Sequence, residues 1–304
     1  MPYRILALDG GGIRGLYTAV LLDRLSGAVP GFLDNVQLMA GTSTGGIIAL
    51  GLAGGMQTRD LVSLYQNQGP KIFDASWLRH LEDLGGLSGA QYDNANLQSI
   101  LTQQFRTKTL NDLNKKVLIP SFDLDNGQDS PPASPRTWKP KFFHNFPGPD
   151  SDGTELIVDV ALRTSAAPTY FPVYQHYVDG GVVANNPSMA ALAQALDLGT
   201  GNQQLADLRL LSLGTGTVTT YVGGHDHDWG LAQWARPLVS LMIDGVMGVA
   251  DYECSRLLGN SYFRLSPLLP QAIALDDVPS IPLLIQYANA VDLAPTIAWL
   301  QAHF

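Results

Sequence analysis

The sequence predicts an α/β fold with a mostly parallel central sheet, and three observations carry the prediction. Ile5, Leu6, Ala7 and Leu8 run apolar without alternation, as a strand covered on both faces does. A glycine-rich turn follows that run, and a second follows the apolar segment 35–40. Apolar stretches of helical character come after each turn, so the chain begins strand, glycine loop, helix, strand, tight turn, helix.

The first strand starts near residue 3 and ends at Asp9. Gly10, Gly11, Gly12, Ile13, Arg14 and Gly15 form the loop, and residues 16–25 read as a helix that Ser26 and Gly27 can end. Residues 35–40 are a short buried strand, and residues 47–53 continue as a buried helix. Between these two stand Gly41, Thr42, Ser43, Thr44, Gly45 and Gly46. Glycines two residues either side of Ser43 relieve a strained strand-to-helix corner. The helix start leaves backbone N–H groups beside the hydroxyl, the geometry of a nucleophile elbow. A tight turn also favours Gly, Ser and Thr on its own account, so this stretch alone leaves catalysis and plain turn geometry both open.

Residues 58–68 read as a helix with Thr58 at the N-cap. Segment 73–92 mixes Trp77, Leu78, Leu81, Leu84 and Leu87 with Gly85, Gly86 and Gly89, an amphipathic stretch that reads either as a mobile cover or as ordinary packing. A helix is expected over 94–105 and a strand over 116–122. A proline-rich insertion over 123–152 follows, broken by a short strand at 141–145. Residues 159–167 form a short helix stopped by Pro168. Residues 174–178 lead into Asp179, Gly180 and Gly181, an acidic residue at a strand end, although Asp-Gly is equally a hairpin signal. Pro187 can open a helix to Leu196, and residues 208–213 are a buried strand ending at Gly214, Thr215 and Gly216. Within 229–258, Trp234, Leu238, Leu241, Met242, Val246 and Val249 share one helix face, read as core or, in part, as a lipid-facing surface with Trp229 and Trp234 at the interface. Residues 293–304 close the chain as a helix.

With 304 residues, 45% hydrophobic and 15% charged, the chain can bury a large core, and one domain over 1–304 is expected. A net charge of -9 argues against nucleic acid as a partner and against electrostatic docking on anionic membranes. Cys254 is the lone cysteine, which rules out an internal disulfide and fits a reducing compartment. Met1, Pro2, Tyr3 and Arg4 lack the layout of a secretory signal, and no apolar stretch approaches the roughly 18 residues of a membrane span. A cytoplasmic protein, peripheral at membranes, is the expectation.

Gly10, Gly12 and Gly15 satisfy the dinucleotide pattern G-x-G-x-x-G, but that fold wants an acidic residue at the end of the second strand, and Asp34 comes before the strand. No Gly-Lys-Ser or Gly-Lys-Thr supports a phosphate loop of the Walker type. Consecutive glycines can instead turn backbone N–H groups into a concavity that holds a developing oxyanion. Arg14 adds a positive charge beside it, either to hold an anionic substrate group such as a phosphate or to tie the loop to a helix through a salt bridge.

Five stretches in order resemble the patatin-like lipid acyl hydrolases: residues 9–15, 41–46, 164–172 (Thr-Ser-Ala-Ala-Pro-Thr-Tyr-Phe-Pro), 179–181 and 212–216 (Ser-Leu-Gly-Thr-Gly). They span residues 5–216, leaving 217–304 to complete the domain. The resemblance implies a three-layer α/β/α sandwich related to the α/β-hydrolases, with Ser43 as nucleophile and Asp179 as base of a two-residue dyad. It places the oxyanion hole on the amides of Gly10, Gly11 and Gly12, with Thr44 as a further donor. It implies a lipid acyl ester substrate, a phospholipid first, met in transient contact with a membrane or micelle, and neither cofactor nor metal. The alternatives on the same fold are a weakly active lipid-binding, storage or interaction protein, and an acyltransferase. A Ser-His-Asp triad through His176, His225, His227 or His303 competes within the same chemistry, but none of these lies in a matching motif. His225, Asp226, His227 and Asp228 could suggest a metal, but they stand in a glycine-flanked loop without a clear further ligand. An exposed carboxyl, with a pKa of about 3.9, is a poor base, so the dyad requires burial to raise the pKa of Asp179.

Overall fold

The computed structural model describes residues 2–73, 89–127, 135–218, 223, 229–230, 234 and 237–304. Among them a seven-stranded sheet runs β1 (Tyr3–Leu8), β2 (Leu38–Gly41), β3 (Lys116–Asp123), β4 (Lys139–His144), β5 (Tyr177–Asp179), β6 (Leu208–Leu213) and β7 (Tyr262–Leu265) in chain order. In space the order is β4-β3-β2-β1-β6-β7, with β5 also on β3. The five strands from β3 to β7 are parallel, and β4 and β5 pair with β3 antiparallel. The expected mostly parallel sheet is the one found.

Along each central strand the side chains alternate between two buried layers, so neither face is wet. Leu6, Leu8, Met39, Val117, Ile119, Leu211 and Leu213 join one apolar layer. Ile5, Ala7, Leu38, Ala40, Leu118, Leu208 and Leu210 join the other. Both sets are lipophilic because both faces are covered, which is why the strands read as unbroken apolar runs. The first layer is closed by α1 (Gly15–Ala28), α2 (Thr44–Ala53), α3 (Thr58–Ile72), α4 (Ala95–Phe105) and α5 (Ile157–Thr164). After the short α6 (Gly181–Ala184), the second layer is closed by α7 (Ser188–Leu196) and α8 (Pro237–Leu258). Two last helices, α9 (Ile281–Ala290) and α10 (Ala294–His303), return to the first layer through Leu284, Ala288 and Leu300.

Several boundaries differ from expectation. Helix α1 continues through Ser26 and Gly27, because its buried face from Leu16 to Leu25 outweighs two weak breakers at an exposed end. The cap of α3 is Gln57, boxed with Asp60, while the Thr58 hydroxyl donates to Asp23 instead. The helix ahead of Pro168 stops at Thr164, and the next residues serve the site described below. The apolar stripe expected as core on α8 points outward at Leu241 and Val249, and the face that packs is Ala250, Cys254 and Leu258 at four-residue spacing. The side chains of Leu238 and Met242, the cover residues Trp77, Leu78, Leu81, Leu84, Gly85, Gly86 and Leu87, and the loop His225, Asp226, His227 and Asp228 lie outside the described residues.

Topology positions the site. Strand β4 occupies one edge of β3 along residues 118–123. On the other edge β2 covers residues 116–118 and β5 covers 121–123, so the chain leaving β2 and the end of β5 approach each other beside Ile119 and Pro120.

Candidate active site

Two strand ends meet there, one carrying Ser43 and the other Asp179. Ser43 has φ 53° and ψ -122°, backbone angles unfavourable for any side chain. Its neighbours must be glycine for a different reason, which is close approach. A Cβ at Gly41 would stand 2.1 Å from the Gly45 carbonyl, and one at Gly45 would stand 2.3 Å from the Leu8 carbonyl. Helix α2 therefore starts hard against the ends of β1 and β2, and Ser43 is held 8% exposed at its N-cap.

Thr164 locks the two strand ends together. Its Oγ1 donates to the Pro120 carbonyl at 2.5 Å and accepts from the Ser43 N–H at 3.0 Å, while its own carbonyl accepts the Gly180 N–H at 3.2 Å. The Asp179 N–H donates to the Ala166 carbonyl at 3.0 Å. On the other side, Thr42 Oγ1 donates to the Ala184 carbonyl at 2.6 Å. Within this frame the Ser43 hydroxyl lies near enough to the Asp179 carboxyl to favour its ionised form. Asp179 is 6% exposed, and its other partner is the Gly181 N–H, 2.7 Å from Oδ1. Burial pushes the Asp179 carboxyl up to about 6, against the Ser43 hydroxyl and the Gly181 N–H, which favour the ionised form.

The glycine loop folds over the same point. A Cβ at Gly10 would meet Asn185 Oδ1 at 2.2 Å and lie 3.3 Å from Ser43 Cβ; at Gly11 it would meet Thr215 Oγ1 at 2.2 Å. Gly12 has φ +58°, and a Cβ there would meet the Leu275 carbonyl at 2.2 Å. The Gly10 N–H, expected among the oxyanion donors, is already committed to the Asn185 carbonyl at 3.0 Å, which corrects that expectation. The N–H groups of Gly11, Gly12 and Thr44 have no acceptor among the described residues. Behind the loop, buried Asp9 receives both terminal nitrogens of Arg264, one of which also reaches Ser212 at 2.7 Å, fixing the end of β1. Arg264 lies on β7, a strand absent from the expectations, so nothing in the sequence flagged it.

These groups border a cavity of about 390 Å³. Ser43, Asp179, the three glycines and Arg14 line it together with apolar side chains including Ile47, Phe171, Val182 and Leu275. An apolar hollow with a few converging polar groups is what a binding site for a largely hydrocarbon ligand requires. The charge of Arg14 is felt by Asp9 and by Tyr170, another lining residue. No histidine among the described residues lines the cavity. His176 sits in a left-handed turn before β5, and His303 stacks on Trp299 near the C-terminus. Thr164 and Thr215 stand inside recognised stretches and Asn185 just beyond one, but no role for them was legible there; their work is contact across the fold, which carries no sequence spacing.

The family model described as Patatin-like phospholipase matches residues 6–192. The protein named cGAMP-activated phospholipase from Pseudomonas aeruginosa (strain BWHPSA011 / Pa011) is 35% identical over 272 residues, covering 86% of this chain and 78% of its own. The protein named Protein teg from Priestia megaterium is 31% identical over 329 residues, covering 99% of each. Patatin-like protein 2 of Arabidopsis thaliana is 28% identical over 298 residues, covering 83% of this chain and 71% of its own.

Proposed function

Because the chain belongs to the patatin-like phospholipase family, a family of lipid ester hydrolases, we propose that it cleaves acyl esters of phospholipids through Ser43 and Asp179 without a metal. One observation carries the reading. Ser43 and the buried Asp179 stand together at the wall of an apolar cavity, the serine close enough to favour the ionised carboxylate while burial raises its pKa to about 6. A carboxylate so raised is basic enough to share the serine proton and still ionised at neutral pH.

In this reading Ser43 Oγ attacks the acyl carbon while its proton passes to Asp179. The carbonyl oxygen becomes an oxyanion facing the free N–H groups of Gly11, Gly12 and Thr44, the last at the N-terminus of α2. Collapse of this intermediate expels the alcohol, which takes the proton back from Asp179. Water then attacks the acyl-Ser43 ester and gives a proton to Asp179; as the acyl–Oγ bond breaks, Ser43 Oγ takes that proton back and the fatty acid leaves. Arg14, on the same wall, would hold the phosphate of the substrate. Transfer of the acyl group to another alcohol needs only a different acceptor at the second step.

The test is labelling by a fluorophosphonate probe together with product analysis on a lipid panel. Wild type is expected to label at Ser43 and to release fatty acid in the presence of chelators. Ser43→Ala and Asp179→Asn are expected to remain folded and to lose turnover by about 1,000-fold or more. Undiminished turnover in either folded variant overturns the dyad, and a well-folded wild type that neither labels nor turns over is a lipid-binding protein instead. Relatives are named cGAMP-activated phospholipase, so the panel is run with and without cGAMP.

A further inference from the structure

Beside the edge of the cavity that Arg14, Tyr170 and Leu275 line stand polar groups that the acyl chemistry leaves unused. The Leu275 carbonyl accepts the Ile13 N–H at 2.7 Å, which brings the following residue, Asp276, beside the loop that bears Arg14. Asp276 is partly exposed, and its Oδ2 accepts from the Tyr92 hydroxyl at 2.8 Å and from Gln91 Nε2 at 3.1 Å. Its Oδ1 accepts no hydrogen bond among the described residues. The Tyr92 N–H donates to the Tyr170 carbonyl at 2.7 Å, so the same strap holds Tyr170 in place. Tyr170 lines the cavity and feels both Asp276 and Arg14, with opposite sign. A carboxylate oriented by Tyr92 and Gln91 therefore stands next to the cavity edge that Tyr170 and Arg14 line.

We propose that this corner receives the head group of a zwitterionic phospholipid, its phosphate toward Arg14 and its cationic amine toward Asp276 and the Tyr170 ring. The inference rests on reading the cavity as the acyl ester site. Three points favour an amine-bearing head over an anionic one. Asp276 has an unengaged oxygen whose position is fixed by Tyr92 and Gln91, so little entropy is lost in meeting a cation. A carboxylate beside an aromatic ring suits a quaternary or primary ammonium, through charge and through the ring face. The chain as a whole carries a net charge of -9, which disfavours approach of a head group with net negative charge.

The test compares binding of two soluble ligands to the full chain by calorimetry, below their micellar concentrations. One is dodecylphosphocholine, and the other is the same phosphodiester with a 3,3-dimethylbutyl group, the uncharged isostere of choline. Wild type is expected to bind the choline ligand about fivefold more tightly, the size of a partly exposed ion pair. Asp276→Asn keeps an oxygen for Tyr92 and Gln91 but removes the charge, and is expected to erase that difference by weakening the choline ligand alone. Asp276→Glu is expected to restore part of it. Equal affinities in wild type overturn the proposal, as does a preference that survives in Asp276→Asn. So does an equal loss for both ligands, the mark of a purely structural Asp276. Neither ligand contains an acyl ester, so the result is independent of turnover, and probe labelling of Ser43 reports separately on the dyad.

Discussion

The raised pKa of Asp179 has a consequence for stability whose sign follows from burial. Folding takes the carboxyl from a pKa of 3.8 to about 6, because desolvation disfavours its charged form more than Ser43 and Gly181 favour it. The folded chain therefore holds the proton more tightly than the unfolded chain, and ionisation destabilises the fold. The penalty is absent below the unfolded value, grows between about pH 4 and 6, and is complete above, where roughly two units correspond to about 3 kcal/mol at most. Asp179→Asn imitates the protonated form and keeps an oxygen for the Gly181 N–H. It is expected to be more stable than wild type by about 1–3 kcal/mol near neutral pH, with the gain disappearing near pH 4. Urea unfolding across that range checks it, and a gain that does not change with pH contradicts the burial account. In the proposed dyad, stability is thus traded for a usable base. Ser43, with its positive φ, adds strain of about 1–3 kcal/mol at the same point.

At the scale of elements, the site depends on how closely a helix can be brought to strand ends. Gly45 sits where α2 passes over the carbonyls of Leu8 and Asp9, at 2.3 and 2.6 Å from a Cβ. Both obstacles are backbone, so nothing flexible can give way. Gly45→Ala is expected to cost about 2–3 kcal/mol or more and to abolish labelling of Ser43. Gly245 offers a contrast within α8, because a Cβ there meets nothing within 4 Å. Gly245→Ala is expected to be neutral or stabilising by up to about 1 kcal/mol, with labelling intact. Thermal denaturation and probe labelling of both variants check the pair. Identical glycines in one sequence differ because one is wanted for space and the other is only tolerated. Similar reasoning explains α1, where Ser26 and Gly27 look like stops yet are overridden by a buried face that continues past them.

At the scale of the molecule, an acidic chain is proposed to work on lipid, and the two requirements pull apart on anionic surfaces. A net charge of -9 repels phosphatidylglycerol vesicles, and salt screens that repulsion. Association with such vesicles, measured by sedimentation, is expected to strengthen as ionic strength rises from about 10 to 150 mM. Weakening with salt would reveal a basic docking face and contradict the reading. No helix of the described residues is long and apolar enough to cross a membrane. The sequence by itself determined the parallel sheet, since strands buried on both faces leave unbroken apolar runs, and it marked Ser43 and Asp179 as the candidate pair through the stretches they stand in. It also determined the family, through short ordered stretches, four of which lie within the matched residues 6–192. Only the tertiary structure decided that β2 and β5 share one edge of β3 and so bring Ser43 to Asp179. The same packing gave Thr164 its place between them, committed the Gly10 N–H to Asn185, and set the residue before Asp276 against the loop that bears Arg14. Such contacts join residues tens to hundreds of positions apart. Local periodicity records which face of an element is buried, not which element it will be buried against.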